Sequence, residues 1–394
     1  MPVNLLDIQR KLKDFSAQAN AHQQAITHRH QELLNLMEGY ANRLSELREI
    51  VDRAASRVPN LRCAVPRDEA LNQVVPKPGL PRKVTVLAAD GSQINPSRHA
   101  RVAFCVINVG VIKMELGSGR APEIHTQSHL LDYDALFQPG GWMISEGMVA
   151  LKRDLREREA LVEFAGELEP PAISMTDGPL ELFQEPQESE EYNRTLDRYL
   201  EVLGRLHDLG LMTIGYVDKP GSDLVGRMLE LAQISDDDLQ DYQRQGRRFA
   251  GVSDVLLFQD LLRNPGDRSA LFMIYSKTAL RFGKDLLPHF FYLNVGQPGK
   301  RHLARVEIPG WVASDPEKVG FLQAVLTEQA AILGTRPYPY ILHRAHEVAV
   351  VTMQEHQHVE EMIVAEFSRR GIPLGEKSYK QFHKDLDTRK TRYR

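Results

Sequence analysis

Lys83-Val84-Thr85-Val86-Leu87-Ala88-Ala89-Asp90-Gly91-Ser92 is a short apolar, β-prone run that ends on an aspartate followed by Gly-Ser. Such a run reads as a central strand. It predicts Asp90 at the carboxyl end of that strand, where open α/β sheets place their sites. Gly91 lets the backbone turn there without a side chain in the way. Taken alone, the same letters also describe an Asp-Gly turn between two strands. A second occurrence of the pattern bears on the choice: Ala172-Ile173-Ser174-Met175-Thr176-Asp177-Gly178-Pro179 is another short apolar run ending in Asp-Gly.

Between the two runs, residues 101–111 and 122–128 read as further strands with short links, so the sheet opens as an antiparallel meander. The period then changes. Residues 142–168 hold no proline and are rich in Leu, Arg and Glu, which predicts a long helix. Strand, strand, strand, long helix, strand is an order in which the first and fourth strands of a mixed sheet lie side by side. Asp90 and Asp177 are then neighbours. Two nearby carboxylates repel and resist desolvation unless a cation or proton sits between them. A divalent metal on oxygen ligands is the simplest resolution, and magnesium or manganese suits such ligands. Two such ions clamp the attacking and leaving oxygens in phosphodiester hydrolysis.

A third carboxylate is expected from the long helix, whose acids are Glu146, Asp154, Glu157, Glu159, Glu163 and Glu167. Glu159 is favoured, because Arg156 three residues earlier is placed to orient it, with Glu157 and Glu163 as the alternatives. Further on, Tyr338-Pro339-Tyr340-Ile341-Leu342-His343-Arg344-Ala345-His346 sets a proline just inside a helix start, with His343 and His346 one turn apart. His346 is a candidate metal ligand or proton-transfer group. Lys277, in Ser276-Lys277-Thr278 just past a predicted strand, is a candidate point charge for a phosphate.

The flanks are of other kinds. Residues 1–60 carry apolar positions at spacings of three and four and read as one or two long helices, an arm packing on the chain's own core or on a partner. Residues 61–81 are dense in proline and read as a linker or an extended surface segment. Residues 377–394 form a basic tail. The stretches 181–191 and 236–248 have no assignable function. At 394 residues, 42% hydrophobic and 26% charged, the chain has the composition of an ordinary soluble globular protein. No apolar run is long enough to span a bilayer, and two cysteines suggest no disulfide framework, so a cytoplasmic home is expected. The net charge of -4 is not that of a typical nucleic-acid binder, yet a local basic groove suffices for binding and clustered carboxylates push the sum down. No Gly-rich run ends in Gly-Lys-Ser/Thr, so any use of ATP has to come from a partner.

Laid out in order, Asp90-Gly91-Ser92, Thr176-Asp177-Gly178-Pro179-Leu180, Ser276-Lys277-Thr278 and Tyr338-Pro339 through Ala345-His346 resemble the NurA nucleases over about residues 82–370. The resemblance implies an α/β fold, with a ribonuclease-H-like mixed sheet flanked by helices and a long helical N-terminal arm. Residues 82–376 are then the nuclease domain with its insertions. It implies cleavage of DNA with a divalent metal, preferably Mn2+, otherwise Mg2+, as a 5′-to-3′ exonuclease and single-strand endonuclease. It further implies a homodimer working with the hexameric HerA translocase in end resection during double-strand break repair. Residue by residue, Asp90 and Asp177 resemble the two strand aspartates, Glu159 the helix glutamate, Lys277 the lysine beyond a later strand, and His346 the C-terminal histidine. Two other functions fit the same letters: a non-catalytic ribonuclease-H-like scaffold that binds DNA or a translocase, and a metal-dependent phosphohydrolase of small substrates.

Overall fold

The computed structural model describes residues 3–79, 83–137, 143–166, 168, 170–182, 190–242 and 247–375. The expected basic tail, Glu167, and parts of the stretches 181–191 and 236–248 lie outside the described residues. Nine strands lie among the described residues: β1 (Cys63–Pro66), β2 (Val84–Ile94), β3 (Val106–Leu116), β4 (Glu123–Leu130), β5 (Ala172–Asp177), β6 (Met212–Val217), β7 (Phe272–Tyr275), β8 (His289–Asn294) and β9 (Leu303–Ile308). The chain divides into two compact units. One comprises Met1–Pro81, Gly178–Glu181 and Met212–Tyr340, the other Arg82–Asp177, Leu182–Leu211 and Ile341–Arg394.

The second unit is built on β2. Its strands run in the order β5-β2-β3-β4. β2 and β3 pair antiparallel over their full lengths, from Val84↔Leu116 to Ile94↔Val106. β3 and β4 are antiparallel, and β2 and β5 are parallel, from Thr85↔Ala172 to Ala89↔Thr176. The sheet is therefore mixed, opens as the expected meander, and sets the first and fourth strands of the domain side by side. Val84 to Ala89 are all buried, as a strand flanked on both sides requires. One expectation changes. β2 does not stop at Asp90-Gly91 but runs on to Ile94, because β3 supplies partners for three more residues. The Asp-Gly pair is thus strand interior, neither a turn nor a strand end.

Helix Glu146–Ala165 connects β4 to β5. Ser145 caps it, accepting from the Met148 N–H at 3.2 Å. It packs on β2 and β3 and is covered by helix Glu190–Asp208. Its buried residues, from Met148 and Val149 through Glu157, Arg158 and Glu159 to Ala165, wrap most of its circumference. Helix Met353–Arg369 starts with a capping box between Thr352 and Glu355. Val359 and Ile363 on it pack against Ile94, Phe104 and Val106.

The other unit carries an antiparallel sheet in the order β1-β7-β8-β9-β6. Part of the expected linker is an edge strand here: Cys63, Ala64 and Val65 are buried, and Pro66 is tolerated as the last residue of β1. The N-terminal helices Leu5–Gly39 and Leu44–Arg57 join the same core through Leu33, Met37, Leu47, Val51 and Ala54. Val3, Leu5, Leu6, Ile8, Leu12 and Phe15, at the start of the arm, are all exposed.

Candidate active site around Asp90

Successive side chains of a strand point to opposite faces. Asp90 and Ser92 therefore share one face of β2, and Gly91 looks to the other. β5 pairs with β2 as far as Ala89↔Thr176, so Asp90 is the first residue of β2 past the last paired position. The same register carries Asp177, the exposed last residue of β5, to the level of Asp90.

On the Asp90 face the seat is made by a glycine. Gly110 lies opposite Asp90 on β3. A Cβ there would stand 2.8 Å from both Ala345 O and Ala349 N, so helix Tyr340–Ala349 rests its backbone directly on the strand. Two polar side chains pin the end of that helix. Ser92 Oγ donates to Ala349 O at 2.5 Å and accepts from Val351 N at 3.1 Å, and Asn108 Nδ2 donates to Ala349 O at 2.8 Å. With the helix seated, His346 Nδ1 is 2.7 Å from Asp90 Oδ2. The other oxygen, Oδ1, accepts from Gly91 N at 2.9 Å. The His346 side chain is 62% exposed, so this pair is open to an incoming ligand.

On the opposite face helix Glu146–Ala165 comes up to the strand where Gly91 leaves room. A Cβ on Gly91 would fall 2.6 Å from Arg153 Cγ and 2.8 Å from Glu157 Oε1. Glu157 is buried, and its pKa is held well above the ordinary carboxylate range. Burial is the main cause and Asp154 adds to it; Arg158 and Arg153 pull the other way, and Asp90 again pushes up. Arg153 Nε lies 3.3 Å from Glu157 Oε1, and Arg153 Nη2 lies 2.9 Å from Asp154 Oδ1. Asp90 and Glu157 thus approach the same stretch of β2 from its two faces, at the level of the last residue of β5.

Glu159 is elsewhere. It bonds Arg156 Nη1 at 2.7 Å and Arg198 Nε at 2.5 Å and lines a cavity of about 960 Å3 with His129, Lys152 and Arg194. Glu163 accepts from Gln127 on β4 at 2.8 Å. His343 points to Glu347, at 3.5 Å. Lys277 belongs to the other unit, exposed at the first position of helix Lys277–Leu280. Its neighbour Ser276 caps that helix and donates to buried Glu181, which also accepts from Arg62 at 2.7 and 2.9 Å. Glu181, in a stretch with no assignable function, thereby has a structural one. So does Arg247, paired to Asp223 and 3.5 Å from Glu230.

Sequence reasoning ranked Glu159 over Glu157 on the strength of Arg156, and Arg156 does bond Glu159. The signal for Glu157 was Arg153 four residues earlier, an equally good helical pair. Among the described residues no group of three or more His, Cys, Asp or Glu side chains is gathered so as to hold a metal ion. The donor chemistry nevertheless suits a hard cation. Asp90, Asp177 and His346 supply carboxylate and imidazole donors at one level of β2, and buried Glu157, with two acids and two arginines beside it, comes up to Gly91 from the other face.

The NurA domain model matches residues 84–351, from the start of β2 to just past the helix that seats His346. No curated protein matches the chain. Among solved structures, the NurA nuclease from Sulfolobus solfataricus superposes with a TM-score of 0.53 at 11% identity, covering 92% of this chain and 98% of that one. The catalytic domain of human Endonuclease V gives a TM-score of 0.33 at 14% identity, covering 81% and 97%. Ciona intestinalis Endonuclease V in complex with an inosine-containing DNA gives 0.31 at 12%, covering 82% and 99%. Those last two are too distant in structure to bear on the fold. With the domain match running through both Asp-Gly strands, the long helix and the histidine helix, the chain belongs to the NurA family.

Proposed function

We propose that the protein is a divalent-metal-dependent DNA nuclease whose centre is Asp90, with Asp177, Glu157 and His346 around it. Family membership supports nuclease function in general. The observation that supports the residue-level reading is that the Asp90–His346 pair and buried Glu157 approach one stretch of β2 from its two faces, level with Asp177 at the end of β5. Glu157 takes the place of Glu159 in this reading, because Glu159 is committed to two arginines. Asp90, Asp177, Glu157 and His346 would hold Mn2+ or Mg2+, which supplies charge stabilisation for phosphodiester hydrolysis. Asp90 holds His346 by the Nδ1 contact, leaving Nε2 as the one ring nitrogen that would meet the ion or, in its place, move a proton at the exposed side of the pair. Arg153 and Arg158 keep Glu157 from carrying its charge alone. Lys277 is proposed as a phosphate contact, from its exposed place at a helix start.

The finer family traits belong to the same proposal: 5′-to-3′ exonuclease and single-strand endonuclease action, a homodimer, and a HerA-type hexameric ATPase as partner in DNA end resection. The exposed apolar residues Leu5, Ile8, Leu12 and Phe15 on the arm support a partner surface. The test is Asp90→Asn assayed on linear and single-stranded DNA with manganese. Cleavage is expected to vanish with the fold intact by circular dichroism. A variant that cuts at the wild-type rate sinks the assignment.

A further inference from the structure

A cavity of about 280 Å3 in the first unit is unrelated to any residue assigned above. Three segments converge on it. Lys219 follows β6. Lys300, Arg301 and His302 come from the tight turn joining β8 to β9, where Gln297 and Lys300 exchange backbone hydrogen bonds of 2.9 and 3.0 Å. Gly296 permits that turn, because a Cβ there would fall 2.2 Å from Lys300 O. Arg336 and Tyr338 come from the segment after helix Pro316–Ala331.

The charges are uneven. Asp218 is the one acid among the described lining residues, and His302 occupies it at 2.9 Å. Arg301 is engaged by Asp260 at 2.8 Å. Lys219, Lys300 and Arg336 have no ion-pair partner among the described residues, and all three are exposed. Three cations without an ion-pair partner around one small hollow favour an anion there over a neutral or cationic group. Within the hollow, Tyr338 is half-buried and set edge-on against Tyr216, with ring centroids 5.6 Å apart. A cationic rim with an aromatic platform is the arrangement that tracks a single strand, phosphates on the cations and a base on the ring. The volume is just below the range of about 300–1,000 Å3 usual for small-molecule sites, so it takes one nucleotide unit rather than a folded partner. Lysine is moreover depleted at protein–protein interfaces.

We infer that this hollow, through Lys219, Lys300, Arg336 and Tyr338, binds the backbone phosphate and base of a single-stranded nucleic acid. The inference rests on the nuclease reading and extends it to a binding subsite separate from the cutting residues. The test uses the full chain carrying Lys219→Ala, Lys300→Ala and Arg336→Ala together, with thermal melting as the folding control. Binding of a fluorescein-labelled oligothymidylate is followed by anisotropy across a salt series. Each phosphate contact on a single strand adds about 0.7 to the slope of log K against log salt. The triple variant is therefore expected to bind at least roughly tenfold more weakly, with a slope shallower by about two. Tyr338→Leu is expected to weaken binding several-fold at unchanged slope, since stacking releases no counterions. Unchanged affinity and slope in the triple variant overturns the inference. So does a variant that loses inorganic phosphate, thymidine monophosphate or poly-glutamate while holding the oligonucleotide as before, since the hollow is then a free-anion or acidic-peptide site. Asp90→Asn, assayed in parallel, is expected to bind the strand as the wild type does without cutting it. If it still cuts, the assignment of Asp90 as the centre fails and the binding result stands by itself.

Discussion

At the scale of single residues, the proposed function gives Glu157 a place in the site and Glu159 a supporting one. Both are nearly buried on the same helix, but Glu157 faces the carboxylates Asp154 and Asp90 while Glu159 faces two arginines. Glu157→Gln keeps the shape; burial already disfavours the charge it removes, while Arg153 and Arg158 lose a partner, two effects that oppose each other. Its thermal midpoint is expected to stay close to that of the wild type, while cleavage falls by roughly a hundredfold or more, the scale of losing a transition-state contact. Glu159→Gln is expected to do the reverse, costing roughly 1–3 kcal/mol of stability through its charged hydrogen bonds and leaving cleavage nearly unchanged. Melting curves and rates on both variants decide the assignment. If Glu159→Gln alone abolishes cleavage, the two residues have to be exchanged.

At the scale of elements, the seating of helix Tyr340–Ala349 on β3 depends on Gly110. The atoms a Cβ would strike are backbone, Ala345 O and Ala349 N, which cannot swing aside as a side-chain tip can. Gly110→Ala is expected to cost about 1–3 kcal/mol, the usual scale of overpacking. It is also expected to lower cleavage beyond what unfolding explains, because His346 moves with the helix. Chemical denaturation alongside rates at low temperature distinguishes the two effects, and a variant stable and active as wild type would show that the helix has another seat. β8 begins with a second sensitive group. His289 is buried, its Nδ1 2.8 Å from Leu287 O and its Nε2 3.3 Å from the Arg67 guanidinium. Burial, with help from Arg67, pulls its pKa down to about 4 from the ordinary 6.5. Because the folded value is the lower one, its contribution is complete above about pH 6.5 and is lost as pH falls towards 4. The loss is on the order of 3 kcal/mol. His289→Gln is expected to flatten the stability profile across that window, and an unchanged acid slope would exclude His289 as its source.

At the scale of the whole molecule, the arm divides into a part that folds the protein and a part that does not. Leu33 and Met37 are the buried residues of helix Leu5–Gly39, whereas the apolar residues from Val3 to Phe15 are exposed. Deleting residues 1–20 is expected to leave the thermal midpoint within about 2 °C. If the exposed stripe serves the proposed homodimer, sedimentation will show the truncated chain lighter by a subunit than the full chain. A truncated chain that still sediments as a dimer moves that interface elsewhere. Among the described residues no helix is long and apolar enough to cross a membrane.

Much of the fold is legible in the letters. The run from Val84 to Ala89, the meander after it, the long charged helix and the second Asp-Gly strand follow from period and turn chemistry, which are local properties of the chain. They sufficed to set Asp90 beside Asp177 and to name His346, which the structure brings to 2.7 Å from Asp90. What local pattern does not carry is the partner. β2 outruns its Asp-Gly because β3 pairs with it to Ile94, and residues 63–66 become a strand because β7 accepts them. The choice between Glu157 and Glu159 was illegible for the same reason. On a helix buried around most of its circumference the period marks only a narrow solvent face, so tertiary neighbours alone tell the two apart: Glu157 comes up to Gly91, and Glu159 meets Arg198.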